Sequence, residues 1–335
     1  MPSLERDSQR IVIAGASSLL GTELRSVLED GRFAGADLRL LDEPSAAGTL
    51  TAAGGEPTVI QPVEEESFTK ARFVFFTGSA EFTLQNVASA LRAGAKVIDL
   101  SGGTASREET VPWFPKLDAL RGREFPKDAP SFMIPSAAAT AAAALTFALS
   151  KIGLRRVMAV CFHSASEAGR LGIEELESQT GQLLSFQGVG QPIFDTQVAF
   201  NMLDRFGPAS SQKLSAIRER VRTETDACLK DKCIMPAIQL VHTPVFYGTA
   251  FSIYGELDTN ADVDQILKAC YESGFVIPQD GEAGPSNVGV AGEKEMQLAK
   301  PEADPSHPRV WWFWGAADNM RLPATNAVKL ATMLS

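Results

Sequence analysis

The sequence predicts a doubly wound, Rossmann-like parallel sheet, followed by a second domain of the α+β class. Short apolar runs alternate with helical segments over the first hundred residues, which is typical of parallel strands covered on both faces. A glycine-containing turn follows the first run, as in nucleotide-binding folds. Beyond residue 135 runs of strands appear with the helices grouped apart, and this pattern favours an α+β domain.

In the first part, a strand is predicted at residues 11–14, leading into a turn at Gly15. The helix that follows is predicted over 21–29, where Leu24 and Leu28 repeat at helical spacing. The later elements of this part are strands at 38–41, 72–76 and 96–100 and a helix at 81–93.

In the second part, an alanine-rich helix is predicted over residues 137–150 and a polar helix over about 213–229. Strands are predicted at 157–162, 237–243, 245–257 and 311–314. Segment 278–309 is rich in proline, glycine and charge, which predicts a long surface excursion. The last helix is predicted to be amphipathic and to span 319–334.

Composition excludes several classes of function. With 31 basic and 41 acidic residues the net charge is −10, so binding of nucleic acid over a broad face is not expected. No apolar window reaches the ~18 residues of a membrane-spanning helix, and the polar start of the chain lacks a secretory signal pattern. The cysteines are scattered, with no CxxC pair, which predicts buried free thiols, no metal site and a reducing, cytoplasmic location (Cys161, Cys228, Cys233 and Cys270).

The glycine-containing turn at residues 15–21 is a candidate phosphate site. Gly15 can make the tight turn, Gly21 allows close contact between helix and strand, and the N–H groups between them would face a pyrophosphate. The middle position carries Ser18 instead of glycine. A strand–helix turn that binds no ligand therefore remains the alternative interpretation.

Seven ordered motifs then carry a resemblance along the whole chain. They are GASSLLG at 15–21, AKVIDLS at 95–101, VPWFP at 111–115, SEAGR with EEL at 166–176, AFNM at 199–202, TPVFYG at 243–248, and DNMR with NAV at 318–328. On these segments the chain resembles the aspartate-semialdehyde dehydrogenase family, and within it a divergent branch with substituted catalytic residues. The family of N-acetyl-γ-glutamyl-phosphate reductases, which has the same two-domain plan, is the second choice.

The resemblance implies a domain organisation and a cofactor. Residues 1–135, completed by 318–335, would form the dinucleotide-binding domain, and residues 136–317 the dimerisation and catalytic-type domain. The family binds NADP(H), dimerises through its second domain and reduces an acyl phosphate through a cysteine thioester. NADP or NAD is thus the expected cofactor, and the residues expected to contact it are Gly15, Ser17, Ser18, Leu19, Leu20 and Ser101.

The same resemblance places the family's catalytic positions on residues that lack its chemistry. The nucleophilic cysteine falls on Ala137, the general-base histidine on Thr249, the substrate-carboxylate arginine on His242 and the active-site glutamine on His163. Alanine has no nucleophilic atom, and a threonine hydroxyl has no useful basicity near neutral pH. Histidine cannot offer the permanently charged, bidentate fork of arginine.

Further family positions are also altered. A Glu–Lys pair falls on Ile217 or Arg218 and on Arg220, so that only the cation is kept. The arginine that holds the cofactor 2′-phosphate falls on Pro44, and the adjacent Glu43 would repel that phosphate. Two further positions remain. The substrate-phosphate arginine falls close to Ala105, two residues from Arg107, and Ser136 beside the nucleophile position is expected to cap a helix.

Three functional hypotheses follow from these positions. In the first, the chain has lost the dehydrogenase reaction but keeps a ligand cleft and a homodimer surface. In the second, it is an active enzyme with altered chemistry built on His163, His242, Ser136 or Arg220, although each histidine is more simply explained as a hydrogen-bonded wall of the cleft. In the third, it is a non-catalytic partner that forms mixed dimers with an active paralogue.

Overall fold

The computed structural model describes residues 10–230, 232–279 and 281–335. The chain divides into two compact units. The first unit runs to Phe114 and also includes Phe125–Ile134 and Pro323–Ser335, whereas the second consists of Pro115–Glu124 and Pro135–Leu322. Residues 1–9, on which the expectation about a secretory signal depends, lie outside the described residues.

Nine strands lie among the described residues of the first unit. They are β1 (Arg10–Ala14), β2 (Asp37–Asp42), β3 (Leu50–Ala53), β4 (Glu56–Val59), β5 (Gln61–Pro62), β6 (Ala71–Phe76), β7 (Lys96–Asp99), β8 (Thr110–Pro112) and β9 (Ser131–Met133). β3 and β4 form a hairpin, and the other seven form one parallel sheet in the order β5-β2-β1-β6-β7-β9-β8. The chain winds in opposite directions from β1 and β6, so the carboxyl ends of these two strands form the switch point at which such sheets bind ligands.

Both faces of this sheet are covered, because alternate residues of each strand point to opposite sides. On one face, strand residues pack with helix α1 (Leu19–Glu29); the cluster includes Ile11, Ile13, Phe73, Phe75, Leu24 and Leu28. On the other face they pack with helix α2 (Ala80–Arg92); that cluster includes Val12, Ala14, Val74, Phe76, Phe82 and Val87. The predicted doubly wound parallel sheet is confirmed.

The second unit contains a mixed sheet. Its strands are β10 (Leu154–His163), β11 (Ala237–His242), β12 (Thr249–Leu257), β13 (Phe275–Val276), β14 (Met296–Leu298), β15 (Glu302–Ala303) and β16 (Val310–Ala317). They lie in the order β11-β10-β12-β16-β14-β13, and β15 also pairs with β16. β10 is parallel to β11 but antiparallel to β12, and together with the grouped helices this confirms the predicted α+β class.

Six further α-helices lie among the described residues: α3 (Leu117–Arg121), α4 (Ala137–Ser150), α5 (Gly169–Leu184), α6 (Leu214–Leu229), α7 (Val263–Glu272) and α8 (Arg321–Leu334). Helix α4 has the bounds that the sequence predicts. Every residue from 137 to 149 is buried, because the helix packs against β10 and β12 and also against α6 and α7.

Three sequence predictions are wrong in detail. The strand predicted from residue 245 begins at Thr249, because residues 243–248 form a turn in which Gly248 has a φ of 86°. The predicted surface excursion 278–309 contributes β14 and β15 to the sheet, and the side chains of Met296 and Leu298 are buried there. The last helix is not amphipathic over its first turns, since residues 322–328 are all buried.

Candidate functional site

A pocket in the second unit gathers several of the residues that the sequence singles out. It encloses about 330 Å³, counting its open mouth. Its polar lining comes from the start of α4, the ends of β10 and β12, the segment before α5, and α6: Ser136, His163, Glu167, Arg220 and Thr249. Ala138 also lines the pocket, so the predicted nucleophile position, Ala137, lies between two lining residues.

The carboxylate of Glu224, a residue of helix α6, lies at the start of helix α4. The backbone N–H of Ser136 and its hydroxyl both donate to Oε2 of Glu224, over 2.8 Å and 2.6 Å. The other oxygen, Oε1, accepts from Nε of Arg220 over 2.7 Å. Because a helix N-terminus favours an anion, the Glu224 carboxylate takes the stabilisation that a nucleophilic thiolate would otherwise use.

Ser136 acts as the N-cap of α4. Its Oγ accepts from the backbone N–H of Ala139 over 3.4 Å, while its proton is directed to Glu224. Glu224 is fully buried, and both of its oxygens already accept hydrogen bonds, from Ser136 and from Arg220. The adjacent Ala137 is 1% exposed and offers only a methyl group.

His163 and His242 are paired across β10 and β11, with their ring centroids 6.1 Å apart. Burial lowers the pKa of both imidazoles to about 3, and the charge of Arg220 acts in the same direction on the pKa of His163. Both rings are therefore neutral near pH 7 and are weak bases there. Within the described residues, Nε2 of His163 and both ring nitrogens of His242 are buried without a hydrogen-bond partner.

The surroundings of the two histidines differ. His163 lines the pocket, whereas the ring of His242 lies against the aromatic rings of Phe194 and Phe206, at centroid distances of 5.3 Å and 5.2 Å. An apolar setting of this kind cannot hold a substrate carboxylate. The sequence predicts that each histidine is a hydrogen-bonded wall of the cleft. This is wrong for His242, because neither ring nitrogen has a hydrogen-bond partner among the described residues and the ring contacts phenylalanines.

Glu167 is a pocket carboxyl that sequence reasoning named only as part of a motif. Its Oε1 accepts from Nδ2 of Asn319 over 3.0 Å. Burial raises the pKa of Glu167, although the charge of Arg220 and the Asn319 hydrogen bond oppose that rise. Glu224 was missed altogether, yet its spacing from Arg220, four residues along a predicted helix, is a signal that could have found the pair.

The glycine-containing turn of the first unit has the predicted shape. Gly15 has a φ of 95°, and a Cβ there would collide with the backbone nitrogen of Gly78. A Cβ on Gly21 would lie 2.5 Å from the carbonyl oxygen of Gly15, which explains why the helix can lie so close to the strand. Ser18 caps α1, because its Oγ accepts from the Gly21 N–H and donates to the carbonyl of Thr77, each over 2.9 Å.

The remaining predicted cofactor contacts divide into two groups. The backbone N–H groups of Leu19 and Leu20 begin α1 and have no hydrogen-bond partner within the described chain. The N–H of Ser17 instead donates to Oδ2 of Asp42 over 2.7 Å. The buried Ser101 hydroxyl donates to Oδ1 of Asp99 over 2.6 Å, so its side chain is held inside the protein.

Two further findings concern the described residues only. They contain no group of three or more His, Cys, Asp or Glu side chains placed to hold a metal ion. They also contain no helix that is long and apolar enough to cross a membrane.

Comparison with protein-family models gives two matches. Residues 10–122 match the model described as semialdehyde dehydrogenase, NAD binding domain. Residues 146–322 match the model described as semialdehyde dehydrogenase, dimerisation domain. The two matches together cover most of the chain.

Similar proteins extend over nearly the whole length. The chain is 28% identical to a USG-1 protein homolog of Pseudomonas aeruginosa and 26% identical to aspartate-semialdehyde dehydrogenase 2 of Vibrio cholerae, covering 97% of both chains in each case. Among solved structures, a probable aspartate-semialdehyde dehydrogenase from Pseudomonas aeruginosa superimposes with a TM-score of 0.85 at 26% identity, covering 97% of this chain and 98% of that one. Aspartate semialdehyde dehydrogenase II from Vibrio cholerae, solved as a complex with ASA, gives a TM-score of 0.82 at 25% identity and 98% coverage of both chains.

Proposed function

The chain belongs to the semialdehyde dehydrogenase family, and from that premise we propose that it has lost the oxidation of a semialdehyde through a cysteine thioester. The observation that carries the proposal is the start of helix α4. Ala137 stands at the nucleophile position that the family resemblance indicates, and the adjacent amide and hydroxyl of Ser136 are bonded to the Glu224 carboxylate. A thiolate route has neither a sulfur atom nor a free anion site there.

The other substituted positions support the same proposal. Thr249 lines the pocket at the position of the family's base, and a threonine hydroxyl does not accept a proton near neutral pH. His242 stands at the position of the carboxylate-binding arginine, but its ring is neutral and surrounded by phenylalanines. Nucleophile, base and substrate clamp are thus altered together.

The test is an assay of the purified chain with aspartate semialdehyde, phosphate and either NADP⁺ or NAD⁺, followed by nicotinamide absorbance. We expect no turnover above the protein-free rate, with the Vibrio cholerae enzyme as positive control. The matched variant is Ala137→Leu, which fills the nucleophile position, and thermal unfolding confirms that this variant is folded before it is assayed. Turnover by the natural chain that Ala137→Leu abolishes would contradict the proposal.

A second candidate function is favoured by one observation, the unpartnered Nε2 of His163. It is buried in a pocket that also holds the cation of Arg220 and the carboxyl of Glu167, so the pocket can bind a small polar ligand for an altered reaction. Screening metabolites by thermal shift tests this, because a ligand stabilises the folded state by mass action. His163→Ala should cancel the shift and His307→Ala, at an exposed histidine, should not; no response to any ligand would count against an altered reaction.

The matched dimerisation domain supports a proposal about the assembly. We propose a homodimer through the second unit, supported by the family match over residues 146–322. Light scattering after size exclusion would show twice the chain mass. Mixed dimers with an active paralogue remain the alternative, and co-purification of such a chain from native extracts would favour it.

A further inference from the structure

The carboxyl end of strand β2 carries an acidic residue that faces the glycine-containing turn. Asp42 is 6% exposed, and its two oxygens accept from the backbone N–H groups of Ser17 and Glu43, over 2.7 Å and 2.8 Å. These bonds fix the carboxylate beside the start of α1. In dinucleotide-binding sheets this is the position of the acid that accepts from the 2′-hydroxyl of the adenosine ribose.

The loop that follows Asp42 adds a second negative charge and no positive one. Residues 42–49 read DEPSAAGT and contain neither lysine nor arginine. Glu43 is exposed, and its Oε1 accepts from the Ser79 hydroxyl over 3.3 Å, which draws it towards the loop after β6. A 2′-phosphate, which carries up to about two negative charges, would meet two carboxylates and no loop cation here.

The turn itself fits a pyrophosphate. The N–H groups of Leu19 and Leu20 begin α1 and are unpartnered within the described chain, so they can donate to phosphate oxygens. They lie at the switch point of the sheet, between the carboxyl ends of β1 and β6. The residues present therefore fit a dinucleotide, and its nicotinamide would supply hydride chemistry when bound.

We infer that the first unit selects a dinucleotide with a free ribose 2′-hydroxyl, of the NAD(H) type, and excludes one that carries a 2′-phosphate. Asp42 is the residue that determines this specificity by accepting from the hydroxyl, and Glu43 reinforces it by repulsion. The inference concerns binding alone and does not depend on the proposed loss of thioester chemistry.

Isothermal titration of the full chain with NAD⁺ and NADP⁺ tests the inference without any turnover. We expect NAD⁺ to bind at least about tenfold more tightly, because each carboxylate near a 2′-phosphate adds repulsion. The pair 5′-AMP and adenosine 2′,5′-bisphosphate isolates the adenosine end, and it should show the same preference.

Two variants locate the cause. Glu43→Arg replaces an exposed negative charge with a positive one. It should tighten NADP⁺ binding about tenfold and change NAD⁺ binding little. The matched control is Asp128→Arg. Asp128 is exposed and lies beside the start of β7, at the amino ends of the strands, so this substitution should change neither affinity. Asp42→Asn should weaken NAD⁺ binding, with thermal unfolding used to confirm that the turn is still folded.

The outcomes separate cleanly. NADP⁺ binding as tightly as NAD⁺ would overturn the inference, and so would the absence of binding by both. Neither result touches the proposed loss of thioester chemistry, because that proposal depends on Ala137 and Glu224 in the second unit. Conversely, semialdehyde turnover with NAD⁺ alone would refute the proposed function and leave the inference standing.

Discussion

The carboxylate of Glu224 should be one of the most sensitive single groups in the second unit. Replacing it with alanine removes the acceptor of three hydrogen bonds, two from Ser136 and one from Arg220. The Ser136 amide then has no carboxylate at the start of α4, and the Arg220 guanidinium loses this buried acceptor. We therefore expect Glu224→Ala to lower the free energy of unfolding substantially.

The magnitude follows from the burial of the two partners. Breaking a buried ion pair by removing one side costs about 3–5 kcal/mol. The Glu224 side chain is fully buried but that of Arg220 is 38% exposed, so water can partly replace the lost carboxylate and the expected cost is about 3 kcal/mol, the low end of that range. Glu224→Gln keeps an acceptor of similar size and should cost about 1–2 kcal/mol.

Urea denaturation followed by tryptophan fluorescence measures this cost. Of the four tryptophans, three lie in the second unit, at Trp311, Trp312 and Trp314, so the signal reports mainly the unit that is changed. The matched control is Glu219→Ala on the same helix, whose side chain is 72% exposed and pairs with Arg222 over 3.4 Å. It should change the free energy by less than about 0.5 kcal/mol.

The double variant Ser136→Ala with Glu224→Ala tests the link between the two residues. If the hydroxyl acts through the carboxylate, the two costs should not add, and the coupling should reach about 1 kcal/mol. A cost for Glu224→Ala no larger than that of Glu219→Ala would refute the idea that this carboxylate stabilises the start of α4.

Two further predictions concern buried titratable groups. The pKa of both His163 and His242 falls to about 3 in the folded chain, below the ordinary 6.5, so the unfolded chain binds more protons between those values. Stability contributed by each neutral ring is therefore present above pH 6.5 and is lost as the pH falls towards 3; at pH 5 the loss is about 2 kcal/mol per ring. In His242→Phe, the loss of stability due to this histidine should disappear, so the urea midpoint should fall less between pH 7 and pH 5 than it does in the natural chain. An equal fall in the two proteins would contradict the prediction. For the thiols, burial raises the pKa of Cys161 and Cys270 to about 12 and also raises that of Cys228. Iodoacetamide should modify Cys233 first in the native chain and all four cysteines only after denaturation, as measured by mass spectrometry; rapid native labelling of Cys161 would refute this.

Local patterning predicts the first unit well, because its strands are continuous apolar runs between turn residues. Residues 11–14 and 73–76 are apolar at every position, which predicts strands that are buried on both faces. The second unit is less predictable from sequence. Helix α5 was missed because its buried face includes Glu175 and Gln179, so it has no regular apolar period.

Those two polar residues are buried because they form hydrogen bonds with the loop that follows the helix. Glu175 accepts from the N–H of Phe194 over 3.3 Å, and Gln179 accepts from that of Val198 over 2.8 Å. Nothing in the helix itself signals such partners. The candidate site shows the same limit: the resemblance indicated Ala137, His163, His242 and Thr249, but only the fold shows that Glu224 reaches Ser136.

Helix α4 has a consequence for how this chain can change over time. Most helices have a solvent-exposed face on which side chains of different size and polarity are tolerated. Positions that tolerate substitution therefore recur about every 3.6 residues. Thirteen consecutive residues of α4, from Ala137 to Leu149, are buried, and seven of the first ten are alanine. Larger side chains would overpack the helix on every side. Any reactive side chain that replaces Ala137, the first residue of the helix, must therefore be small. Serine and cysteine are among the few reactive residues that would fit.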